Sequence, residues 1–358
     1  MRTYQRGHNV QLLSRALLLS AALLISACAT VRPPQPADWS DAGAITAAAN
    51  PGAWDARTFP GIHSPTTVTT SGGDILLYYV GAAGDRVSDG GPRERSVGLI
   101  VGRDDVYKKH PGNPVLSWFP NPEGCNGEEE GIWRPAVALQ SGSEVVVYFG
   151  AITQTNCRGS VQSDVRVATS PDGRNFSESV PVIEATDKSA WGTGNKGAEV
   201  FPVAAYEHRG NWTLFYVSRE VEPPWSLGVA RGASRDEMTS TQALLMADES
   251  SLGAGSRIST ASVWPLDSAT YALFLQVRNE KSQVTRLEVR TFDPSDPSQL
   301  SEPATVYEWR GDDALSVASA VMLDRRTETW NLYYATDGSR IRKMTAPVRK
   351  SAAGGRQE

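Results

Sequence analysis

Asp74-Ile75-Leu76-Leu77-Tyr78-Tyr79-Val80-Gly81 is a run of apolar, β-branched and aromatic residues, a composition that suits a buried strand. The chain returns to this pattern four more times, in runs that begin at Val145, Trp212, Tyr271 and Trp330. Aligning the central residues of the runs gives spacings of 70, 67, 59 and 59 residues. A unit that recurs at this distance, with several strands and no convincing helix, is typical of a propeller blade. The sequence therefore predicts an all-β fold, a five-bladed β-propeller of mostly four-stranded antiparallel blades.

The repeats define one large domain. The chain has 358 residues, 40% of them hydrophobic, and no linker divides the runs, so we expect a single propeller over residues 46–348. Residues 349–358 are predicted to form a polar disordered tail. The fifth blade reaches only residues 341–344 before that tail. Its fourth strand is therefore either absent or supplied by residues before Trp54.

The charge of the chain argues against nucleic acid as a partner. The formal net charge is −5, and beyond the first 27 residues 32 basic residues stand against 40 acidic ones. Lys and Arg side chains must neutralise the phosphates of a bound nucleic acid, and this chain has no basic run. We therefore expect no nucleic-acid binding.

The amino-terminal segment carries the features of a targeting signal. Residues 1–15 are polar and contain three arginines, and residues 16–27 are an apolar run too short to span a bilayer comfortably. The run ends in Ile25-Ser26-Ala27-Cys28, which resembles the bacterial lipobox. The alternative is an ordinary secretory signal peptide cleaved at a small residue. A cysteine at this junction is uncommon by chance, which favours a lipoprotein signal peptide over residues 1–27.

The lipobox resemblance implies that Cys28 is acylated and that the lipid bilayer is a partner. More than one acyl chain is needed for stable attachment. Ala29 follows the cysteine, and a residue other than Asp at that place implies sorting to the outer membrane of a bacterial envelope. Residues 28–45 contain three prolines and are predicted to form a semi-rigid tether.

If Cys28 carries lipid, two cysteines are left in an oxidising compartment. Cys125 precedes the first strand of blade two, and Cys157 lies between its second and third strands, so both fall on the same rim. We therefore expect a structural disulfide. A metal site is the weaker reading, because the chain has only four histidines and none lies at ligand spacing from these cysteines.

Two motifs resemble a known superfamily. The segment from Val97 to Leu116 contains Pro111-Gly112-Asn113-Pro114-Val115-Leu116, and Thr169-Ser170-Pro171-Asp172-Gly173 follows a strand of blade two. Both are similar to blade signatures of the arabinanase, levansucrase and invertase superfamily, which is glycoside hydrolase family 43/32-like. The resemblance extends over residues 54–345. It implies a five-bladed propeller that acts on furanosides or related sugars, with catalytic carboxylates where the inner strands of the first three blades begin.

One of those three expected acids is present. The family's His-Asp-Pro corresponds to His63-Ser64-Pro65, and its Trp-Ala-Pro-Asp corresponds to Trp133-Arg134-Pro135-Ala136. Blade three keeps Glu199, close to the Glu-x-Pro expected for the proton donor. The resemblance therefore implies Glu199 as the catalytic acid, with His63, Ser64, Trp133 and Arg134 as sugar-binding residues.

Three explanations of the missing acids stay open. In the first explanation, the match between this sequence and the superfamily motifs is offset by a few residues, and Asp55 or the run Glu128-Glu129-Glu130 supplies an acid from a rim loop. Alternatively, a variant chemistry uses Glu199 with another acid, or the protein binds a glycan without cleaving it. Ser64 needs a neighbouring base to act in place of a carboxylate, and strand alternation argues against pairing with His63.

These observations lead to three hypotheses. The first is a membrane-tethered glycosidase-like lipoprotein that acts on furanoside-type or related oligosaccharides as a monomer and needs no cofactor. The second is a non-catalytic glycan-binding propeller, and the third is a scaffold protein. The missing acids favour the second hypothesis over the first, and the superfamily's enzymatic character favours the first. We therefore expect a carbohydrate ligand, and whether the protein is a glycoside hydrolase stays open.

Overall fold

The computed structural model describes residues 30–47, 54–55, 62–82, 93–118, 129–152, 163–185, 199–219, 226–245, 252, 255–279, 281–311, 317–335 and 340–350. Within these ranges the regular structure is β-strand apart from one 3₁₀ turn, Pro36–Asp38. No helix of the described chain is long and apolar enough to cross a membrane. The amino-terminal signal and Cys28 lie outside these ranges, and so do Cys125 and Cys157, so acylation and the disulfide stay predictions.

The described strands pair mainly into antiparallel groups of four, each of which we call a blade. Two strands precede the repeats, β1 (Val31–Arg32) and β2 (Ser40–Ala47). Blade one contains β3 (His63–Thr69), β4 (Ile75–Ala82), β5 (Arg93–Arg103) and β6 (Val106–Lys109). Blade two contains β7 (Glu129–Ser141), β8 (Glu144–Ile152), β9 (Ser163–Ser170) and β10 (Val180–Ile183).

The later blades repeat this order. Blade three contains β11 (Glu199–His208), β12 (Asn211–Arg219), β13 (Ser226–Gly232) and β14 (Thr239–Leu245). Blade four contains β15 (Ser256–Pro265), β16 (Tyr271–Asn279), β17 (Val284–Phe292) and β18 (Ala304–Arg310). Blade five contains β19 (Ala318–Asp324), β20 (Thr329–Ala335), β21 (Arg340–Pro347) and β2, and a short strand, β22 (Arg349–Lys350), follows it.

The second strand of blade one shows why these runs are apolar throughout. Every residue of β4 is buried, because both faces of the blade are covered by neighbours. Leu76, Tyr78 and Val80 pack in a core shared with blade two. Leu77 and Tyr79 point the other way and pack in a core shared with blade five. Burying side chains of this size stabilises the fold by about 1.5–3 kcal/mol each.

The first strands of the blades form the interior of the ring. They contact one another in the cyclic order β3, β7, β11, β15, β19 and back to β3. Side-chain hydroxyls join neighbours: Thr66 Oγ1 accepts the backbone N–H of Ala138 at 3.2 Å, and Ser262 Oγ accepts that of Val321 at 3.1 Å. The predicted all-β fold of four-stranded antiparallel blades is confirmed. The described first strands follow the order that a closed ring of five requires.

The amino-terminal segment completes blade five. β2 pairs with β21 as its fourth strand, so the fourth strand is supplied by residues before Trp54. Val31 and Trp39 are buried in the core of blades four and five, and β1 pairs with β22. The predicted tether over residues 28–45 is therefore wrong from residue 31 onward, and the predicted disordered tail is wrong for residues 349–350. The physical reason is that β21 would otherwise leave an unpaired edge.

A buried polar network joins blades four and five. Gln276 is fully buried, and its Nε2 donates to Val317 O at 2.5 Å and to Ser259 Oγ at 2.7 Å. Its Oε1 accepts from Thr260 Oγ1 at 3.2 Å and from Ser319 Oγ at 2.6 Å. A network in which every group is satisfied fixes the two blades in one register.

Replacing Gln276 by Leu is expected to lower the free energy of unfolding by about 1–3 kcal/mol, because Val317 O and the hydroxyls of Thr260 and Ser319 lose a buried partner. Urea titration followed by circular dichroism measures the change. A variant as stable as the wild type would contradict a structural role for the network.

The predicted turn of blade two is present and is organised by Asp172. Its Oδ1 accepts the backbone N–H groups of Arg174 at 2.8 Å and Asn175 at 2.9 Å. These hydrogen bonds hold the pKa of Asp172 well below its usual value. Gly173 has a φ of +70°, and its carbonyl accepts the hydroxyl of Tyr78 at 2.8 Å, which fixes the turn against blade one.

The pKa shift of Asp172 predicts a pH dependence of stability. Its pKa is lower in the folded chain, so its stabilisation is complete above the unfolded pKa of about 4 and is lost as the pH falls through the folded pKa. Asp172→Asn is therefore expected to be less stable than the wild type at pH 7, with the difference shrinking at pH 3 and below. Denaturant midpoints at the two pH values measure it, and a difference independent of pH would contradict the argument.

Candidate functional site

Three of the predicted site segments lie on one face of the ring. The first strands β3, β7 and β11 belong to consecutive blades and begin on the same face, which we call the entrance face; the opposite face, where they end, is the exit face. His63 and Ser64 begin β3, Trp133 and Arg134 lie in the first half of β7, and Glu199 begins β11. The fold therefore brings the segments to one face.

Parallel pairings tie neighbouring blades together at this face. Arg95 near the beginning of β5 pairs with Gly131 in β7, and Ser163 at the beginning of β9 pairs with Glu199. Gly131 has a φ of +99°, and a Cβ there would lie 2.5 Å from the carbonyl oxygen of Arg95, so the close approach requires glycine. The third strand of one blade thus positions the first strand of the next.

Backbone irregularities recur where the first strands begin. Register shifts interrupt the pairing between His63 and Thr66 in β3, between Trp133 and Val137 in β7, and between Pro202 and Ala204 in β11. The first strand of blade five, in contrast, pairs with β20 in unbroken register from Ala318 to Asp324. β-bulges of this kind re-aim side chains and are over-represented next to active sites.

Ser64 adopts a strained conformation. Its φ is +50°, a left-handed value that a non-glycine residue rarely takes, and the residue is 1% exposed. Its Oγ lies 2.9 Å from Nδ1 of His63. The expectation that strand alternation keeps the side chains of Ser64 and His63 apart is therefore wrong, because the left-handed residue breaks the alternation. Such strain persists where the surrounding structure imposes it, and it concentrates at functional sites.

Glu199 is half-buried at the beginning of β11, and neighbouring groups fix its backbone. It pairs with Arg219 in β12 as well as with Ser163 in β9. The hydroxyl of Ser163 accepts the backbone N–H of Val200 at 3.0 Å and donates to the carbonyl of Val200 at 3.1 Å. The strand that carries the predicted acid is therefore held firmly between blades two and three.

Asp164 is a carboxylate at this junction that the sequence analysis missed. It follows Ser163, the residue paired with Glu199, and it is 9% exposed. Its Oδ1 accepts the backbone N–H of Ala185 at 2.7 Å. The available signal was a single acid ahead of the apolar positions of β9. Arg95, which is 2% exposed near the beginning of β5, was missed in the same way.

Asp55 lies in the interior and not on a rim. It is 1% exposed, and its Oδ2 accepts the hydroxyl of Tyr79 at 2.8 Å and Nζ of Lys109 at 2.6 Å. Trp54 stacks on Tyr79 with the ring centroids 5.9 Å apart. Burial, reinforced by the Asp55 carboxylate, raises the pKa of Tyr79 well above its ordinary value. The hypothesis that Asp55 supplies a rim acid is therefore wrong, because Lys109 and Tyr79 engage it among the strands.

The structure describes only some of the other candidate acids, the run Glu128-Glu129-Glu130. Glu128 lies outside the described residues, while the backbones of Glu129 and Glu130 pair in parallel with Arg93 and Glu94 in β5. No group of three or more His, Cys, Asp or Glu in the described ranges is arranged to hold a metal ion.

A cavity of about 570 Å³ lies at the exit face, between the ends of the first strands. The ends of all five first strands line it, so it is central to the ring. Its polar groups include Gln140, Glu207, Asp324, Arg325 and Arg326. Sequence repeats placed the first strands around a common axis, but they gave no indication of open space at this end.

No family model matches the chain, and no curated protein matches its sequence. Solved structures do match. A glycosyl hydrolase from Bacteroides ovatus has a TM-score of 0.59 at 13% identity, with 90% of this chain and 97% of that one covered. A β-1,2-mannobiose phosphorylase from Listeria innocua has a TM-score of 0.58 at 11% identity, covering 89% and 94%. An endo-arabinase from Bacteroides thetaiotaomicron has a TM-score of 0.54 at 11% identity, covering 80% and 94%.

These likenesses concern the fold. They confirm that the chain shares its architecture with sugar-processing propellers, of which the arabinanase type is one. At identities this low the comparison transfers no site and no substrate. The exact family, the lipoprotein character and the roles of Glu199, His63, Ser64, Trp133 and Arg134 stay predictions.

Proposed function

We propose that the protein is a membrane-tethered, glycosidase-like lipoprotein of the bacterial envelope that acts on furanoside-type or related oligosaccharides. The observation that carries the proposal is the entrance face, where the strained Ser64 in β3 and Glu199 in β11 begin first strands of one ring. The ring has the fold of known glycosyl hydrolases. Strain and bulges at these positions support a site that was shaped for a ligand.

Glu199 acts as the general acid in this proposal. A half-buried glutamate at the beginning of a first strand can donate a proton to the leaving oxygen of a glycosidic bond. The hydrogen-bonded pair of Ser64 and His63 offers fixed polar groups to sugar hydroxyls. Glycoside hydrolysis needs a second carboxylate, and the candidate is Asp164, a largely buried acid on β9, the strand that pairs with the beginning of β11.

A non-catalytic glycan-binding function is the second candidate. Ser64 and Ala136 stand where the related enzymes carry acids, and Asp164 already accepts a backbone hydrogen bond from Ala185. In this version Glu199, His63 and Ser64 bind sugar hydroxyls and no bond is cleaved. Acylation of Cys28 and an outer-membrane location belong to both versions.

A panel of aryl arabinofuranosides, fructosides and xylosides tests for turnover by the purified chain, and a glycan array tests for binding. Turnover that depends on Glu199 supports the enzyme, and binding without turnover supports the glycan-binding protein. If the protein neither binds nor cleaves any sugar of either set, both versions are wrong.

A further inference from the structure

The described chain begins on the exit face of the propeller. Thr30 Oγ1 donates to Asp267 Oδ2 at 3.2 Å, and the backbone N–H of Val31 donates to Leu266 O at 3.4 Å. Leu266 and Asp267 belong to the turn between β15 and β16, so they lie where a first strand ends. The amino-terminal residues are thereby fixed to the face opposite Glu199.

Several contacts make this attachment firm. β1 pairs with β22, and the indole N–H of Trp330 donates to Arg32 O at 3.1 Å. Val31 is 8% exposed and packs in the core of blades four and five, and Trp39 donates its indole N–H to Val306 O at 3.2 Å. A segment with buried side chains, ladder pairing and hydrogen bonds to two blades does not swing freely as a linker would.

The predicted acylation site is very close to this attachment. Cys28 precedes Thr30 by two residues, which span at most about 7 Å even when fully extended. Acyl chains on Cys28 must enter the hydrocarbon of the bilayer. The turn that holds Thr30 must then lie close to the lipid surface.

We propose that the propeller sits with its exit face on the membrane and its entrance face directed away from it. This inference rests on the acylation in the proposed function and extends it to the substrate. β11 has ten residues from Glu199 to His208, which correspond to about 30 Å at ~3.3 Å per residue. A site at that height reaches soluble or wall-borne oligosaccharides and does not reach the headgroup of a glycolipid in the same leaflet.

The anchor, and not surface charge, sets this orientation. Three basic groups near the exit face are paired with acids: Arg349 with Asp38, Lys350 with Glu328 at 2.5 Å, and Arg326 with Asp104 at 3.0 Å. Arg325 donates to the carbonyl of Pro265 at 3.2 Å. Paired charges offer little net attraction to anionic lipid. The orientation is therefore expected to persist at high salt.

Two exposed serines of blade four provide a matched pair of reporters. Ser268 lies in the turn before β16, on the exit face, and Ser282 lies in the turn after it, on the entrance face. Ser268→Cys and Ser282→Cys are each labelled with an environment-sensitive fluorophore in the full lipidated chain. Labelling of the parent protein gives the background from its own cysteines. The labelled proteins are reconstituted into phosphatidylcholine vesicles that contain nitroxide-headgroup lipid.

The label at position 268 is expected to be quenched several-fold more strongly than the label at 282. Equal quenching, stronger quenching at 282, or no quenching in vesicle-bound protein would overturn the orientation. Vesicle flotation and the mass of the amino-terminal peptide report acylation separately. Protein that carries no lipid and stays in solution would refute the tether, and the orientation with it.

A longer anchor tests whether the short anchor is the cause of the orientation. Inserting about 20 Gly and Ser residues between Ala29 and Thr30 frees the propeller from the anchor, because such a segment behaves as a flexible coil. The quenching at 268 is expected to fall toward the value at 282. A pattern unchanged by the insertion would show that the exit face itself binds lipid, which contradicts an orientation set by the anchor.

Discussion

Glu199→Gln is expected to lower turnover of a cleaved furanoside by about 10²–10⁴-fold while leaving sugar binding largely intact, because the amide keeps the shape of the side chain but has no acidic proton to give to the leaving oxygen. Initial rates on the best substrate of the aryl-glycoside panel measure the loss. Calorimetric titration of the same variant with an unlabelled oligosaccharide measures binding.

Glu207→Gln is the matched control for that variant. Glu207 lies on the same strand, β11, but near the exit face. It is exposed and accepts a hydrogen bond from Ser141. The same substitution there is expected to leave turnover near the wild-type value. If both variants lose activity equally, or if neither does, Glu199 is not the general acid.

Lys109→Met is expected to lower the free energy of unfolding by about 3 kcal/mol, the largest stability effect that we predict. Asp55 is 1% exposed, and its side chain is held by Lys109 at 2.6 Å and by Tyr79 at 2.8 Å. Removing the ammonium leaves a buried carboxylate without its counter-charge, which costs more than an ordinary lost hydrogen bond. Denaturant titration at pH 7 measures the loss.

Two further variants show whether the buried charge is the cause. Lys108→Met changes the adjacent residue of β6, which is exposed, and it is expected to have little effect on stability. Asp55→Asn combined with Lys109→Met removes the charge as well as its partner, so it is expected to be more stable than Lys109→Met alone. Equal losses in Lys108→Met and Lys109→Met would rule out the ion pair as the source of the stabilisation.

The fold was largely predictable because a strand is a local pattern. The run from Asp74 to Gly81 contains the information for a buried strand in its own composition, and its recurrence indicates a blade. The turn at Asp172 and Gly173 was predictable for the same reason, since its hydrogen bonds join residues two and three positions apart. The resemblance to a lipobox at residues 25–28 likewise depends on a few consecutive residues.

Strand order predicted on which face the candidate residues lie, but not how their side chains are arranged. That β3, β7 and β11 begin on one face follows from the repeat, so Ser64 and Glu199 could be placed on a common face without coordinates. The pairing of His63 with Ser64 could not be foreseen, because it depends on a left-handed φ that no sequence pattern around Ser64 announces. The family resemblance named the positions but not their geometry.

By itself, then, the sequence determined the strands, their grouping into blades and the face on which the candidate residues lie, because each of these follows from periodicity along the chain. Only the tertiary structure decided that β2 closes blade five, that Asp55 forms an interior ion pair with Lys109 and that Thr30 is fixed to the exit face. The Asp55–Lys109 ion pair joins residues 54 positions apart, and the Thr30–Asp267 hydrogen bond joins residues 237 positions apart. Their partners are selected by packing and by the need to satisfy buried polar groups and strand edges, and neither requirement is written in any local stretch of sequence.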